Sequence, residues 1–135
     1  MTREISCGAI IIKNGKVLLV EQNNNIISFP KGHQEKGENR VITAIREAKE
    51  ETNVDIEIVS QKEYKASYIV KDNIPKDTFF YLAREINDNE LIPQSTEIRN
   101  VFWVPLEDVR TTINRDNIKE LWDEVMKDIV KNKIM

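Results

Sequence analysis

The amino-acid sequence predicts an α/β domain in which helices cover the faces of a mixed β-sheet. The predicted elements follow the order strands, helix, strands, helix, which is typical of this fold class. The chain has 135 residues, enough for one domain with its own core. Hydrophobic residues make up 40% of it and charged residues 32%, a balance typical of soluble globular proteins. We therefore predict a single domain over residues 1–135.

The N-terminal segment predicts a β-hairpin followed by a loop. Residues 5–12 and 17–20 are rich in β-branched side chains and are joined across Asn14-Gly15. Both central positions of a type I′ turn need a positive φ, which this dipeptide tolerates well. Residues 22–37 hold a proline, two glycines and a run of asparagines, so the sequence predicts a loop there.

A helix is predicted for residues 38–52, which contain good helix formers and no proline. Its apolar positions Val41, Ala44, Ile45 and Ala48 share one arc of the helix. We expect this arc to face the core.

The second half of the chain predicts further strands and a short helix. Residues 55–70 and 78–86 are predicted to be extended, and residues 101–104 to form a short strand. Pro105 suits the first turn of a short helix that runs through Val109.

The C-terminal segment predicts an amphipathic helix. Asn114 or Asp116 is available as its N-terminal cap. A helical spacing of apolar residues predicts the side that packs on the core. These residues are Ile118, Leu121, Trp122, Val125, Met126, Ile129 and Val130.

Charge and cysteine content restrict the possible function. The net charge is −3, which argues against a basic surface for long nucleic acid but allows a small polyphosphate substrate if a metal ion supplies positive charge. No apolar run approaches the roughly 18 residues of a membrane helix, and the N-terminus lacks a signal-peptide pattern. The single cysteine, Cys7, excludes an internal disulfide and is predicted to be a small buried side chain. We therefore expect a cytoplasmic protein.

Three glutamates give the predicted helix an acidic side. At about 100° per residue, Glu50 and Glu51 lie within roughly 60° of Glu47, one turn further along. Like charges at this spacing repel, so a cation between them would stabilise the arrangement. Hard oxygen ligands suit Mg²⁺, or Mn²⁺ as a substitute. On the helix alone, a solvated acidic face eased by Arg46 and Lys49 is the simpler interpretation.

The wider segment, residues 29–54, resembles the Nudix box, written G-x5-E-x7-R-E-U-x-E-E-x-G-U with U a bulky aliphatic residue. All charged positions match in register, and two positions depart from the pattern. Ala48 is smaller than the usual aliphatic residue, and Asn53 replaces the final glycine. Asparagine is well tolerated in the left-handed conformation that follows a helix, so we predict that the chemistry is intact. The matching residues are Gly32, Glu38, Arg46, Glu47, Glu50, Glu51 and Val54.

This resemblance implies an α/β/α sandwich with a mixed β-sheet flanked by helices. It also implies an enzyme in which water attacks a phosphorus of a nucleoside diphosphate linked to another group, with the help of divalent cations. Glu47, Glu50 and Glu51 are then the metal ligands, and the carbonyl of Gly32 is an additional one.

The resemblance further implies catalytic roles. Arg46 is expected to orient a glutamate through a salt bridge, and Glu38 to brace the loop or join the metal network. Glu50 is expected to take part in catalysis as well as in metal binding. Glu97 stands six residues before Trp103, where several relatives place a glutamate as an extra ligand or general base.

Within the family, residues 30–38 look closest to the asymmetric dinucleoside tetraphosphate hydrolases, which split Ap4A into ATP and AMP. Tyr68 and residues 76–83 carry a second, weaker likeness to the same enzymes. That likeness implies rings that stack a base and cations that hold phosphate. Residues 79–81 are three consecutive aromatic residues on a predicted strand, so at least one of them must face the core. The implied substrate-binding residues are Lys31, His33, Tyr68, Lys76 and Phe80.

Two alternatives stay open. The first is another Nudix activity, directed at oxidised dNTPs, ADP-ribose or the 5′ pyrophosphate of RNA. The second is a nucleotide-sensing module without catalysis, whose usual sign is the loss of a box carboxylate; here Glu47, Glu50 and Glu51 are all present. We expect a small nucleotide substrate, no membrane or long nucleic acid partner, and a monomer or homodimer.

Overall fold

A computed structural model of the chain describes residues 3–69, 73–94 and 96–133. Within these ranges the chain forms a sheet, three α-helices and a 3₁₀ turn before the second of these helices. The strands are β1 (Glu4–Lys13), β2 (Lys16–Gln22), β3 (Ile27–Ser28), β4 (Lys31–His33), β5 (Ile56–Ile58), β6 (Tyr64–Ile69), β7 (Pro75–Glu85) and β8 (Ile98–Pro105). The helices are α1 (Arg40–Thr52), α2 (Val109–Thr112) and α3 (Asp116–Asn132), and the 3₁₀ turn is Leu106–Asp108.

The sheet is mixed and is organised around β1. This strand pairs in parallel with β7 over most of its length. Along its other edge it pairs antiparallel with β2 near its C-terminal end and with β4 near its N-terminal end. Strands β5 and β6 extend the sheet beyond β7, and β3 and β8 extend it beyond β2.

Alternate residues of β1 face opposite layers. Ile10 packs in the cluster that contains Trp122 of α3, whereas Ile11 packs in the cluster that contains Ala48 of α1. The predicted α/β/α sandwich with a mixed sheet flanked by helices is therefore confirmed. Cys7 is fully buried as predicted, and burial raises the pKa of its thiol to about 11.

Turn chemistry fixes the N-terminal hairpin. Asn14 and Gly15 have φ values of 50° and 75°, as the predicted turn requires. The predicted loop over residues 22–37 was wrong in one respect, because it contains β3 and β4. These strands are too short to leave a pattern in the sequence, and they form because β2 and β1 offer them hydrogen-bonding edges.

Helix α1 begins after Asn39, whose side chain accepts a hydrogen bond from the backbone N–H of Ile42 at 2.8 Å. Ala44 and Ala48 are buried, as predicted. The prediction for Ile45 was wrong, since this residue is 37% exposed. The buried side of the helix instead includes Glu51 and Thr52, so one acidic side chain of α1 lies on its buried side.

The predicted caps of the C-terminal helix were wrong. Asn114 instead links two loops: its Oδ1 accepts from the backbone N–H of Ile27 at 2.9 Å, and its Nδ2 donates to the carbonyl of Asn25 at 2.8 Å. Asp116 is the first residue of α3, and Arg115 precedes it without a capping side chain. Pro105 is the last residue of β8 and directly precedes the 3₁₀ turn, which leads into α2 at Val109, so the predicted short helix is present and begins one residue later.

Most of the predicted apolar stripe of α3 packs on the sheet. Met126 is half-buried, and Val130 is 68% exposed, so its predicted place in the core was wrong. No helix in the described ranges is long and apolar enough to cross a membrane. The predicted segment 55–70 divides into β5 and β6, and its last residue, Val70, lies outside the described residues. The buried members of the stripe are Ile118, Leu121, Trp122, Val125 and Ile129.

Asn53 has the left-handed conformation predicted for it, with φ 68° and ψ 16°. Its backbone N–H donates to the carbonyl of Lys49 at 2.9 Å, and its Nδ2 donates to the carbonyl of Glu90 at 3.0 Å. Replacement by glycine relieves the left-handed strain and loses the exposed side-chain bond, so we expect Asn53→Gly to stay within about 0.5 kcal/mol of wild type. Asn53→Val should destabilise the fold by about 1 kcal/mol or more. Urea unfolding of both variants measures this difference, and equal stability of the two would contradict it.

Candidate active site

Arg46 of α1 connects the acidic residues of the box. Its Nε and Nη2 donate to the two carboxylate oxygens of Glu38, at 2.6 and 3.0 Å. Its Nη1 donates to Glu47 Oε1 at 2.9 Å and to Glu50 Oε2 at 3.0 Å. Nη2 also donates to the backbone carbonyl of His33 at 2.9 Å. One guanidinium therefore ties strand β4, the following loop and helix α1 together.

Glu38 braces the loop that leads into α1. Besides Arg46, it accepts hydrogen bonds from the backbone N–H of Glu35 at 3.0 Å and from Thr43 Oγ1 at 2.9 Å. The hydrogen bonds from Arg46, followed by that from Glu35, lower the pKa of Glu38 to about 2. The carboxylate is thus ionised and engaged at both oxygens.

Glu51 is a buried carboxylate, only 6% exposed. Its Oε1 accepts a hydrogen bond from the backbone N–H of Lys31 at 3.0 Å, and within the described ranges it forms no ion pair. Burial, assisted by the nearby negative charges of Glu47 and Glu97, raises its pKa to about 8 despite that hydrogen bond. A cation at this place would favour the ionised form and remove the penalty.

Glycine at position 32 allows the carboxylate of Glu47 to lie against β4. Gly32 pairs with Cys7 of β1, and a Cβ atom built on it would lie 2.0 Å from Glu47 Cδ and 2.2 Å from its Oε2. Any side chain larger than hydrogen would therefore displace this carboxylate. Burial raises the pKa of Glu47, as it does that of Glu51.

Glu97 belongs to the same acidic side of the molecule, although it comes from the loop before β8. Its side chain is exposed, and its backbone carbonyl accepts from the N–H of Asn23 at 3.0 Å. Its negative charge contributes to the raised pKa of both Glu47 and Glu51, after the larger effect of burial. Folding thus brings this residue, distant in sequence, close to the box.

The donors on this side are carboxylate oxygens, which fit Mg²⁺ or Mn²⁺ in chemistry. In the part of the chain that the structure describes, however, no three acidic, histidine or cysteine side chains are arranged to hold one ion. Glu47 and Glu50 accept hydrogen bonds from Arg46, and Glu51 accepts one from the backbone N–H of Lys31.

A cavity of about 190 Å³ adjoins the acidic residues through Lys31, whose backbone N–H binds Glu51. Lys31, Tyr68 and Lys76, three of the predicted substrate-binding residues, line it together with Ser28 and Arg115. The hydroxyl of Tyr68 is 3.2 Å from Thr78 Oγ1, and Lys76 Nζ lies 5.7 Å from the centroid of the Tyr68 ring. Burial lowers the pKa of the Lys31 ammonium, and the charges of Lys76 and Arg115 lower it further.

The prediction that Phe80 binds substrate was wrong. Its side chain is fully buried in the core, with its ring centroid 5.4 Å from that of Phe29 in an edge-on contact. Phe80 lies opposite Gly8 in the central pair of parallel strands, so no ligand reaches it. His33 is exposed and is not among the described residues that line the cavity. Its backbone carbonyl, rather than its side chain, accepts a hydrogen bond from Arg46.

Arg115 and Ser28 are among the cavity residues that sequence reasoning missed. Arg115 precedes α3 and Ser28 ends the short strand β3, and neither belongs to a recognisable pattern. The packing of α3 against the sheet brings Arg115 near Lys31, whereas Ser28 lies only three residues before Lys31 in the chain.

Comparisons with known proteins agree with this geometry. Residues 2–125 match the profile of the NUDIX domain. The chain is 32% identical over 114 residues to Nudix hydrolase 5 of Arabidopsis thaliana, covering 79% of this chain but 38% of that protein. It is 29% identical over 120 residues to the asymmetrical bis(5'-nucleosyl)-tetraphosphatase of Mus musculus, covering 76% of this chain and 80% of that protein. The structure of a C. elegans Ap4A hydrolase in a binary complex matches with a TM-score of 0.83 at 26% identity, over 95% of this chain and 98% of that chain.

Proposed function

Because this chain belongs to the Nudix hydrolase family, which acts on phosphoanhydride bonds, we propose that it is a Mg²⁺-dependent hydrolase that splits Ap4A-type dinucleoside tetraphosphates into ATP and AMP. One observation carries the substrate class. The backbone N–H of Lys31 binds Glu51, whereas its side chain lines the cavity with Lys76 and Tyr68. An acidic site for cations thus adjoins a cationic cavity with an aromatic ring, as a long polyphosphate between two nucleosides requires.

Members of the family generally use divalent metal ions. Here Glu47, Glu50 and Glu51, with the carbonyl of Gly32, would hold Mg²⁺, for which Mn²⁺ is a substitute. A bound cation would offset the charges of the carboxylates and phosphates and lower the pKa of the attacking water. The bidentate bond from Arg46 to Glu38 keeps the loop and α1 in register, so that these ligands stay together.

Other residues of the chain bind the substrate and accept a proton. Lys31 and Lys76 bind phosphate oxygens, and the ring of Tyr68 stacks on a base. Water attacks a phosphorus of an outer P–O–P bridge, a new P–O bond forms, and the bond from that phosphorus to the bridging oxygen breaks. The two products are AMP and ATP. Glu50 or Glu97, both exposed and close to Glu47, accepts the proton that the water releases.

Product analysis tests the substrate. Ap4A, 8-oxo-dGTP, ADP-ribose and triphosphorylated or capped RNA are incubated with the enzyme, and products are separated by ion exchange. We expect ATP and AMP from Ap4A, because the two ends of the substrate are held by different groups. Two molecules of ADP would contradict the proposal. So would a kcat/KM for Ap4A about 100-fold or more below that for 8-oxo-dGTP or capped RNA.

Replacement of Tyr68 by alanine should raise KM with little change in kcat. A ring that stacks on a base stabilises the ground state and the transition state alike, and such stacking contributes about 1–3 kcal/mol per base. KM for Ap4A should therefore rise by about 5- to 150-fold. Tyr68→Phe is the matched control, since it keeps the ring and loses only the contact with Thr78. Equal KM values for Tyr68→Ala and wild type would exclude the stacking role.

A further inference from the structure

Arg115 differs from the other arginines that the structure describes. Six of them form an ion pair with a carboxylate, whereas Arg115 forms none within the described residues. Arg115 is exposed, so its guanidinium is accessible to an anion from solvent. The paired arginines are Arg3, Arg40, Arg46, Arg84, Arg99 and Arg110.

The side chain of Arg115 lines the cavity that Lys31 and Lys76 also line. Neither lysine has a carboxylate partner in the described ranges, and no acidic residue is among the described residues of the cavity wall. Three cations around one concavity repel each other, at a cost in stability. A bound anion would reverse the sign of that interaction, and a planar guanidinium matches two phosphate oxygens at once.

A second observation at the same cavity also points to a ligand. Ser28, which lines it, is 1% exposed, and its Oγ has no hydrogen-bond partner among the described residues. A buried hydroxyl without a partner is costly and uncommon in native proteins. A ligand oxygen in the cavity would accept the hydrogen bond that this hydroxyl can donate.

We propose that Arg115 is a phosphate-binding, specificity-determining residue, which together with Lys31 and Lys76 binds the phosphates of the substrate that extend beyond the acidic site. Arg115 immediately precedes α3, whereas the three glutamates proposed to bind the cation all lie on α1. A tetraphosphate extends further from the acidic site than a diphosphate does, so a phosphate-binding Arg115 in this cavity favours tetraphosphates over diphosphates. The identity of the substrate rests on the proposed function, but the binding of phosphate by Arg115 does not.

Binding of inorganic tripolyphosphate to the metal-free protein tests the inference without catalysis. Titration calorimetry in EDTA compares wild type with Arg115→Ala, and Arg110→Ala is the control. Arg110→Ala removes the same charge and side chain as Arg115→Ala, but Arg110 is paired with Asp123 outside the cavity. One charge-assisted contact to phosphate corresponds to about a tenfold change in Kd, so Arg115→Ala should bind about tenfold more weakly. Arg110→Ala should match wild type.

Kinetics separate this role from a structural one. Arg115→Ala should raise KM for Ap4A without lowering kcat, leave KM for ADP-ribose unchanged, and be partly rescued by Arg115→Lys, which restores the charge but not the fork. Equal tripolyphosphate affinity in wild type and Arg115→Ala, or no saturable binding by wild type, would overturn the inference. Failure of wild type to hydrolyse Ap4A would instead overturn the proposed function. The tripolyphosphate result stands in either case.

Discussion

Replacement of Glu51 by glutamine is expected to lower kcat by roughly 100-fold or more, a loss comparable to that of other preorganised electrostatic groups. The amide oxygen can still accept the hydrogen bond from the N–H of Lys31, so the local structure should persist. What is lost is the negative charge that would bind the cation. Turnover of Ap4A at saturating Mg²⁺ measures this effect, and circular dichroism checks that the fold is intact.

The same substitution should raise the melting temperature of the metal-free protein. Burial raises the pKa of Glu51 to about 8, compared with about 4.3 for a glutamate in an unfolded chain. Below about pH 4 Glu51 is protonated in both the folded and the unfolded protein, so it does not lower the free energy of unfolding. As pH rises toward 8, the unfolded state releases its proton first, so the folded state becomes less stable. Glu51→Gln should lack this decline.

Thermal melts in EDTA from about pH 5 to pH 8 compare the two proteins, in the window that the two pKa values define. Glu120→Gln is a suitable control, because Glu120 is exposed on α3 and forms no ion pair among the described residues. Wild-type turnover in Glu51→Gln would show that this carboxylate does not bind the cation. Parallel pH profiles for the two proteins would show that its charge is not buried as the structure indicates.

Replacement of Gly32 by alanine should lower kcat/KM by about 100-fold, since a shift of about 1 Å in a catalytic group can have an effect of this size. The new methyl group would overlap the carboxylate of Glu47, which must move away from β4. The backbone of β4 can remain paired with β1, because the overlapping atoms belong to the end of a flexible side chain. We therefore expect a large loss of activity with a small loss of stability.

Gly15→Ala serves as the control, because it should lower stability and leave activity unchanged. Gly15 has a φ of 75° in the hairpin turn, and no atom lies within 4 Å of a Cβ built there. Alanine at this position is strained by about 1–2 kcal/mol but far from the acidic residues. Activity and urea unfolding of both variants should separate the two effects. Full activity in Gly32→Ala would mean that the position of Glu47 is unimportant for turnover.

The parts of the fold that were predictable from the sequence are those specified by local signals. The turn at Asn14-Gly15 and the left-handed Asn53 follow from backbone preferences of single residues. The errors arise where a tertiary contact decides. Val130 has the right helical spacing but is 68% exposed, although the neighbouring Ile129 is fully buried, and Ile45 is 37% exposed.

The acidic part of the site was predictable because its residues lie within one segment. Arg46, Glu47 and Glu50 are neighbours on one helix, and any helix in this register brings them together. The cavity was only partly predictable. In the register of β7 the side chain of Phe80 faces the core. A run of consecutive aromatic residues does not show which of them face the core and which face the opposite side of the strand. Arg115 reaches the cavity only through the docking of α3.

Hydrolysis of Ap4A by the wild-type protein, with Mg²⁺ and with EDTA, tests the central claim most directly. The acidic residues of α1 are proposed to act through a bound cation, so the metal-free enzyme should produce neither ATP nor AMP. Excess Mg²⁺ should restore both products in equal amounts. Undiminished hydrolysis in EDTA would contradict the account.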